Sequence, residues 1–282
     1  MNRPGSRTRA SGAAGRRGRR RGAAVVAAML AFGGSVHAQR GNVQPPASAR
    51  DAAPIDLTGN WVSLVTQDWR WRMVTPPKGD YRGIPLTAEA VKVAAAWDPA
   101  RDEAAGEECR SYGAPALMSV PGRVRISWQD ADTLKVETDA GMQTRLLRFR
   151  TPPTSTPPAR SWQGDSAAEW QLARGNVPLN LRPADRSPGV QPPAIGRGGS
   201  LKVVTTNLRP GYLRKNGVPY SENAVLTEYW EVFRRESGER WLTITTTIDD
   251  PRYLRQPRIV AIPFTQEPDG AKWDPTPCSA RW

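Results

Sequence analysis

The sequence predicts an all-β fold, a single antiparallel β-barrel with one short helical insertion. Apolar and polar residues alternate in many short segments, which is the period of a half-buried strand. Turn-forming residues separate these segments at spacings of about 8–12 residues in the central part of the chain. Closure of the sheet into a barrel is favoured because it removes exposed strand edges.

The first predicted strand begins near Ile55, which also opens the predicted barrel domain, residues 55–282. Residues 39–54 are rich in Pro and Ala and are predicted to be a flexible linker. Apolar residues of one parity extend the strand to Met73. The loop 74–86 follows it.

One segment has clear helical signals. Thr87 is a good N-cap for a helix from Ala88 to about Trp97, and the pair Asp98-Pro99 ends it. Residues 100–109 are compatible with a short second helix.

The remainder of the chain is predicted to be β-structure. Asn216-Gly217 is a strong tight-turn signal. A segment rich in Pro and Gly, about 173–199, is predicted to be a mobile excursion. Strands are predicted at 123–128, 134–137, 142–150, 162–172, 201–208, 224–235, 241–248 and 258–264.

The first 38 residues have the organisation of a signal peptide. Eight Arg precede the ten-residue apolar run Ala23–Phe32, and small residues at Val36 and Ala38 mark a cleavage site after Ala38. Ten residues are too few to span a bilayer, so no transmembrane segment is expected after cleavage. The arginine pairs leave both general secretory and twin-arginine export open. We predict a periplasmic or secreted protein.

Composition excludes several classes of function. Removal of the leader lowers the net charge from +13 to +5, which argues against nucleic-acid binding. The single His, His37, leaves with the leader, so His-based triads and the common catalytic zinc sites are excluded. No cofactor or metal is predicted, and the sequence does not define an oligomeric state.

The two cysteines, Cys109 and Cys278, are predicted to form a disulfide. Pairing is the simplest outcome for two cysteines in an exported chain, because the compartment is oxidising. A free nucleophilic thiol is the alternative, although no His is available to activate it.

Candidate ligand-binding residues centre on Trp69, Arg70, Trp71 and Arg72. On a strand, the two indoles would share one face and the two guanidinium groups the other, which fits a stacking floor or an anion clamp. Core tryptophans with surface arginines are the alternative. Further Trp on predicted strands, Trp128 and Trp170, are added as ligand contacts.

Three residues are weak catalytic candidates. Glu222 could act as a general base with Tyr220 as the acid, since both follow a tight turn, but a simple capping role for Glu222 is the alternative. Glu228 has the parity of Leu226 and Trp230, so it is either a buried carboxylate or an exposed one in a slipped register.

Two resemblances accompany these patterns. The segment Thr58-Gly59-Asn60-Trp61 resembles the Gly-x-Trp start of lipocalin-like barrels, which implies a lipocalin or calycin-like fold. The chain also resembles a family of uncharacterised exported bacterial proteins, on five stretches. They are Asp68–Met73, Pro85–Pro99, Trp162–Trp170, Asn216–Glu222 and Asp250–Tyr253.

Three functions are compatible with the sequence. The first is the binding of a small apolar or aromatic ligand in the barrel. The second is a His-free lyase, isomerase or hydratase on the same scaffold. The third is an envelope interaction protein without a pocket, and fold alone does not decide among them.

Overall fold

A computed structural model describes residues 48–150, 158–172 and 198–281, and its dominant feature is a closed barrel of nine strands. The predicted leader and nearly all of the predicted excursion lie outside the described residues. The all-β barrel prediction is confirmed. In chain order the strands are β1 (Gly59–Ser63), β2 (Arg123–Trp128), β3 (Thr133–Thr138), β4 (Thr144–Arg148), β5 (Asp165–Leu172), β6 (Gly199–Thr206), β7 (Gly211–Arg214), β8 (Val218–Tyr220), β9 (Val225–Arg234), β10 (Arg240–Asp249) and β11 (Arg258–Glu267).

The barrel follows the order β1-β11-β10-β9-β6-β5-β4-β3-β2 and closes between β2 and β1. Nine strands cannot alternate in direction all the way around a ring, so at least one neighbouring pair must run parallel. That pair is β4 and β5, joined at Leu147–Ser166 and Arg148–Ala167. The fold departs from the fully antiparallel prediction at this seam.

Side chains of alternate residues fill the barrel interior. Trp61, Trp230 and Phe264 are almost completely buried, and aliphatic residues of every neighbouring strand pack around them. Full burial of each large apolar side chain contributes roughly 1.5–3 kcal/mol. The interior is therefore a packed core.

One ion pair lies within this core. Glu228 points inward, and its two carboxylate oxygens accept hydrogen bonds from Arg145 Nη1 at 3.1 Å and Nη2 at 2.6 Å. Arg145 Nη2 also donates to Thr205 Oγ1 at 3.3 Å. Both charged side chains are fully buried. Of the two positions that the sequence left open for Glu228, the structure therefore shows the buried carboxylate, and it is paired with an arginine.

Short helices connect β1 to β2. They are α1 (Trp69–Arg72), α2 (Ala88–Ala95), α3 (Pro99–Ala104), a 3₁₀ helix (Glu108–Tyr112) and α4 (Ala114–Leu117). The predicted N-cap is confirmed, because Thr87 Oγ1 accepts a hydrogen bond from the backbone N–H of Ala90 at 3.2 Å. Helix α4 was not predicted from the sequence.

The strand predicted through Met73 is wrong beyond Ser63. Trp69–Arg72 forms one turn of helix, and Asp68 before it adopts left-handed backbone angles, φ 54° and ψ 22°. Asp tolerates this conformation better than most residues. The alternating indole and guanidinium faces expected of a strand are therefore absent from this segment.

The helices and the β7–β8 hairpin leave the barrel at one end, which we call the helical end, because they connect β1 to β2 and β6 to β9. The opposite end holds a cluster of Trp128, Phe149 and Trp170. Within the predicted linker, Ala49 has specific contacts there, since its carbonyl accepts from Trp170 Nε1 at 2.8 Å.

The predicted disulfide is confirmed. Cys109 and Cys278 are bonded, with their Cα atoms 5.1 Å apart. The bond joins the 3₁₀ helix to the C-terminal segment, 169 positions away. Among the helices of the described residues, none has the length and apolar character needed to cross a membrane.

Candidate anion-binding cavity

A small cavity lies at the helical end, between α1, the 3₁₀ helix and α4, the β7–β8 hairpin and the start of β11. Its volume is about 40 Å³. A cavity needs roughly 10–15 Å³ to hold one water, so there is room for about three waters or one carboxylate-sized group. We call it the cationic cavity. Its charged lining residues are Asp68, Arg72, Arg214, Lys215 and Arg258.

Helix α1 presents one face to the cavity. Asp68, Trp71 and Arg72 line it at positions i, i+3 and i+4, which share one side of a helix. The helical turn therefore directs one Trp and one Arg of the sequence Trp-Arg-Trp-Arg inward, and it leaves Trp69 and Arg70 exposed.

The hairpin supplies a second wall through an irregularity. Leu213, Arg214 and Lys215 line the cavity although they are consecutive in sequence. A regular strand would direct neighbouring side chains to opposite sides. The register shifts between Tyr212 and Arg214, as in a β-bulge, and a bulge can redirect side chains in this way.

Arg72 is anchored but incompletely paired. Its Nε donates to the carbonyl of Ser119 at 2.9 Å, and its Nη1 donates to the carbonyl of Leu64 at 3.2 Å. Nη2 is buried and has no hydrogen-bond partner among the described residues. Burial lowers the pKa of this guanidinium, and the negative charge of Asp68 partly opposes the effect.

Arg258 is also incompletely paired. Its Nη1 is buried without a hydrogen-bond partner in the described part of the chain, and its Nη2 lies 4.0 Å from Asp68 Oδ2. Burial lowers the pKa of Arg258, again opposed by Asp68. Asp68 itself is 37% exposed, so water screens its charge.

Arg214 and Lys215 complete the positive charge. The guanidinium of Arg214 lies 4.6 Å from the centre of the Trp71 ring, and its Nη1 donates to the carbonyl of Arg82 at 2.8 Å. Lys215 Nζ donates to the Tyr112 hydroxyl at 2.6 Å. Burial lowers the pKa of Arg214 to about 10 and that of Lys215 to about 7.

Four cationic side chains therefore face a cavity whose lining includes one carboxylate, from Asp68. Buried cations are costly unless they are paired with opposite charge. A buried guanidinium N–H without a partner requires an explanation such as a water or an ion. The chemical class that matches an unpaired guanidinium N–H is an anion with two or more oxygens, because arginine forks match that geometry.

The candidate ligand-binding residues are divided between three places. Trp71 and Arg72 line the cationic cavity, whereas Trp69 and Arg70 lie on the opposite face of the same turn. Trp128 and Trp170 belong to the aromatic cluster at the other end of the barrel, where their ring centres are 6.5 Å apart.

The three catalytic candidates have separate environments. Tyr220 is fully buried, and its hydroxyl has no hydrogen-bond partner among the described residues. Glu222 is about one-third exposed and lies 3.6 Å from Arg252 Nη1. Glu228 is paired with Arg145 inside the barrel. None of the three lines the cationic cavity.

Sequence reasoning missed Arg214, Lys215 and Arg258. The adjacent pair Arg214-Lys215, directly before the Asn216-Gly217 turn, is a signal that could have identified the hairpin. Arg258 has no such signal, since it begins a strand far along the chain. Only the closed barrel brings β11 beside α1.

Comparisons with protein-family models, with curated proteins and with solved structures found no match. The fold and the site define a class of protein nonetheless: a filled nine-stranded barrel with a cationic cavity beneath its helical end.

Proposed function

We propose that the protein binds a small molecule through an oxyanion group, a carboxylate or a phosphate, held in the cationic cavity. The observation that carries this proposal is the pair of buried guanidinium nitrogens, Arg72 Nη2 and Arg258 Nη1, that lack hydrogen-bond partners within the described chain. Both arginines line the cationic cavity, whose volume is about 40 Å³.

This proposal changes the place and the chemistry of the ligand expected from the sequence. An apolar or aromatic ligand would need space inside the barrel, but packed side chains such as Trp61 and Trp230 occupy the interior. The anion clamp expected from Arg72 is retained, with Arg258 as its second arm.

The test is a titration of the protein with acetate, sulfate and inorganic phosphate in a buffer of low ionic strength, followed by calorimetry. We expect saturable binding of at least one anion. Arg258→Gln should weaken binding about tenfold or more, since a hydrogen bond to a charged group contributes roughly 1.5–3 kcal/mol. Arg258→Lys should recover part of the loss, because it keeps the charge without the fork.

The matched control is Arg234→Gln, an exposed arginine at the opposite end of the barrel. It changes the net charge equally and should leave the affinity unchanged. The proposal fails if no anion binds, or if the two glutamine variants weaken binding by the same factor.

We further propose that the protein is exported, with cleavage after Ala38, and that it belongs to the exported bacterial family that it resembles. The leader pattern supports export, and the Cys109–Cys278 disulfide fits an oxidising compartment. Expression of the full chain in a bacterium, followed by N-terminal sequencing of the periplasmic fraction, should identify Gln39 as the first residue. Recovery of the intact Met1 terminus from the cytoplasm would contradict export.

A further inference from the structure

A second cavity lies at the helical end, between α2, α3, the 3₁₀ helix and the β7–β8 hairpin. Its volume is about 200 Å³, about five times that of the cationic cavity. Among the described residues, the two cavities have no lining residue in common. We call it the tyrosine cavity, because its lining includes Tyr212, Tyr220 and Tyr253.

The tyrosine cavity has a buried floor and an exposed rim. The buried lining residues are Asp102, Gly211, Tyr212, Pro219, Tyr220 and Tyr253. The exposed lining residues are Val93, Ala96, Asp98, Arg101 and Pro210. The cavity is therefore a depression that a small molecule can enter from solvent, with aromatic rings and one carboxylate at its base. Largely apolar walls with a few placed polar groups are typical of small-molecule sites.

The carboxylate at the base is held in position by two side chains. Asp102 Oδ2 accepts a hydrogen bond from the Tyr212 hydroxyl at 2.9 Å, and Oδ1 accepts one from Arg110 Nη1 at 3.0 Å. A carboxylate has about four lone-pair sites. Asp102 therefore keeps the capacity to accept a hydrogen bond from a ligand.

Two buried donors on lining residues have no hydrogen-bond partner among the described residues. They are the Tyr220 hydroxyl and Arg110 Nε. The hydroxyl lies at the cavity wall beside Gly211, since a Cβ on this glycine would be 2.6 Å from it. Burial raises the pKa of Tyr220, so the hydroxyl keeps its proton and can donate. Buried donors of this kind require an acceptor.

The charges of the lining restrict the class of ligand. Asp98 and Asp102 balance Arg101 and Arg110, so the described lining has no net charge. A charged ligand is therefore not favoured here, in contrast to the cationic cavity. A pure hydrocarbon would leave the two unpaired donors without acceptors, which is costly.

We propose that the tyrosine cavity binds a neutral sugar ring of monosaccharide size. The C–H faces of the ring pack against the aromatic side chains. Its hydroxyl groups accept from Tyr220 and Arg110 and donate to Asp102, because a hydroxyl is both donor and acceptor. This is a second site, and it is independent of the proposed anion binding.

The experiment titrates the protein with D-glucose, D-galactose, D-mannose and D-xylose, by calorimetry and saturation-transfer NMR. Benzyl alcohol, a ring with a single hydroxyl, is the comparison ligand. We expect saturable binding of at least one sugar, and weaker binding of benzyl alcohol. Tyr220→Phe should weaken sugar binding about two- to tenfold, the contribution of one hydrogen bond. It should not lower stability, since it removes only an unpaired hydroxyl.

The matched control is Tyr81→Phe. The Tyr81 hydroxyl is also buried without a partner among the described residues, but Tyr81 does not line the tyrosine cavity. Tyr81→Phe should therefore retain full sugar affinity. A second pair of variants tests the rim: Arg101→Gln should weaken binding about twofold or more, and Arg234→Gln, at the other end of the barrel, should not.

The outcomes separate this inference from the proposed function. If no neutral sugar binds, or if benzyl alcohol binds more tightly than every sugar, the inference is overturned. Equal effects of Tyr220→Phe and Tyr81→Phe would overturn it as well, because the sugar would then bind elsewhere. Arg258→Gln should leave sugar affinity unchanged, so a failure of anion binding and a failure of sugar binding are distinguishable.

Discussion

Asp68 affects the cationic cavity in two ways, through the negative charge of its carboxylate and through its backbone conformation. Its left-handed backbone begins α1, and its carboxylate lies 4.0 Å from Arg258 Nη2. An incoming anion must approach this negative charge. The residue therefore reduces anion affinity while it positions the residues that bind the anion.

We predict that Asp68→Asn strengthens anion binding by roughly two- to fivefold, because a partly exposed ion pair contributes up to about 1 kcal/mol. Asn also tolerates left-handed backbone angles, so the helix should be preserved. Calorimetry with acetate at low salt provides the measurement. Glu236→Gln, the same charge change on the remote β9–β10 turn, should leave the affinity unaltered, and weaker binding by Asp68→Asn would contradict the prediction.

Lys215 makes stability depend on pH. Burial lowers its pKa from 10.5 to about 7, whereas the unfolded chain keeps the ordinary value. Between pH 7 and pH 9 the folded protein loses this proton and the unfolded chain retains it. Stability rises with pH wherever the unfolded state binds more protons, so the free energy of unfolding should increase by about 1–2 kcal/mol across this range.

Tyr112 and Arg214, which lie beside Lys215, should contribute little in this range. Burial raises the pKa of Tyr112, which keeps it neutral, and the pKa of Arg214 is about 10. Urea unfolding at pH 7 and pH 9, in a buffer poor in anions, measures the slope. Lys215→Met should abolish the increase in the free energy of unfolding between pH 7 and pH 9. Lys202→Met, on the outer wall of the barrel, should preserve this increase. Equal slopes in the wild type and Lys215→Met would refute the assignment.

At the scale of the elements, most strands could be predicted from sequence and α1 could not. The strands β2, β3, β9 and β10 have several alternating residues each, so the period is well defined. Trp69–Arg72 is only four residues long, and its alternation fits a strand as well as the spacing of Asp68, Trp71 and Arg72 fits a helix. The contacts of Arg72 with Ser119 and Leu64 decide the outcome.

The turn of the β7–β8 hairpin requires glycine for two reasons. Gly217 has φ +83°, and a Cβ there would lie 2.2 Å from Trp97 Cβ. Gly217→Ala should therefore lower the free energy of unfolding by about 2–4 kcal/mol, from backbone strain of roughly 1–2 kcal/mol plus overpacking. It should also weaken anion binding, since the hairpin positions Arg214 and Lys215.

The matched control for this variant is Gly238→Ala. Gly238 has φ +88°, and no atom lies within 4 Å of the position that a Cβ would take there. It should show the backbone strain alone and bind anions normally. If urea unfolding gives equal losses for both variants, the contact with Trp97 is unimportant.

At the scale of the whole molecule, the buried pair Arg145–Glu228 links β4 to β9, two strands that are separated by two others in the sheet. Arg145→Met should destabilise the protein by about 3–5 kcal/mol, because it leaves Glu228 charged and unpaired in the core. The double variant Arg145→Met/Glu228→Met should regain most of that loss. Arg148→Met, on the outer face of the same strand, should cost less than about 0.5 kcal/mol. A double variant as unstable as the single one in urea would contradict this account.

The inward position of Glu228 agreed with the sequence parity, but its partner could not be predicted. Arg145 is 83 positions away, and the two strands that carry them are not neighbours in the sheet. The same is true of the cationic cavity, whose residues come from four separate segments. Alternation along one strand contains no information about side chains that meet across a closed barrel.

The parallel pairing of β4 and β5 also divides the barrel into two parts that follow each other along the chain. The barrel consists of two continuous arcs, one of β1–β4 and one of β5, β6 and β9–β11, which meet at this seam and at the β1–β11 pairing. Cys109 belongs to the first arc by sequence and Cys278 follows the second, so the disulfide is a covalent link between two halves. A protein whose chain is cut between residues 150 and 158 should therefore remain one covalent molecule when it is denatured. It should separate into two fragments only after the disulfide is reduced. The two halves are thus a starting point for a split-protein reporter.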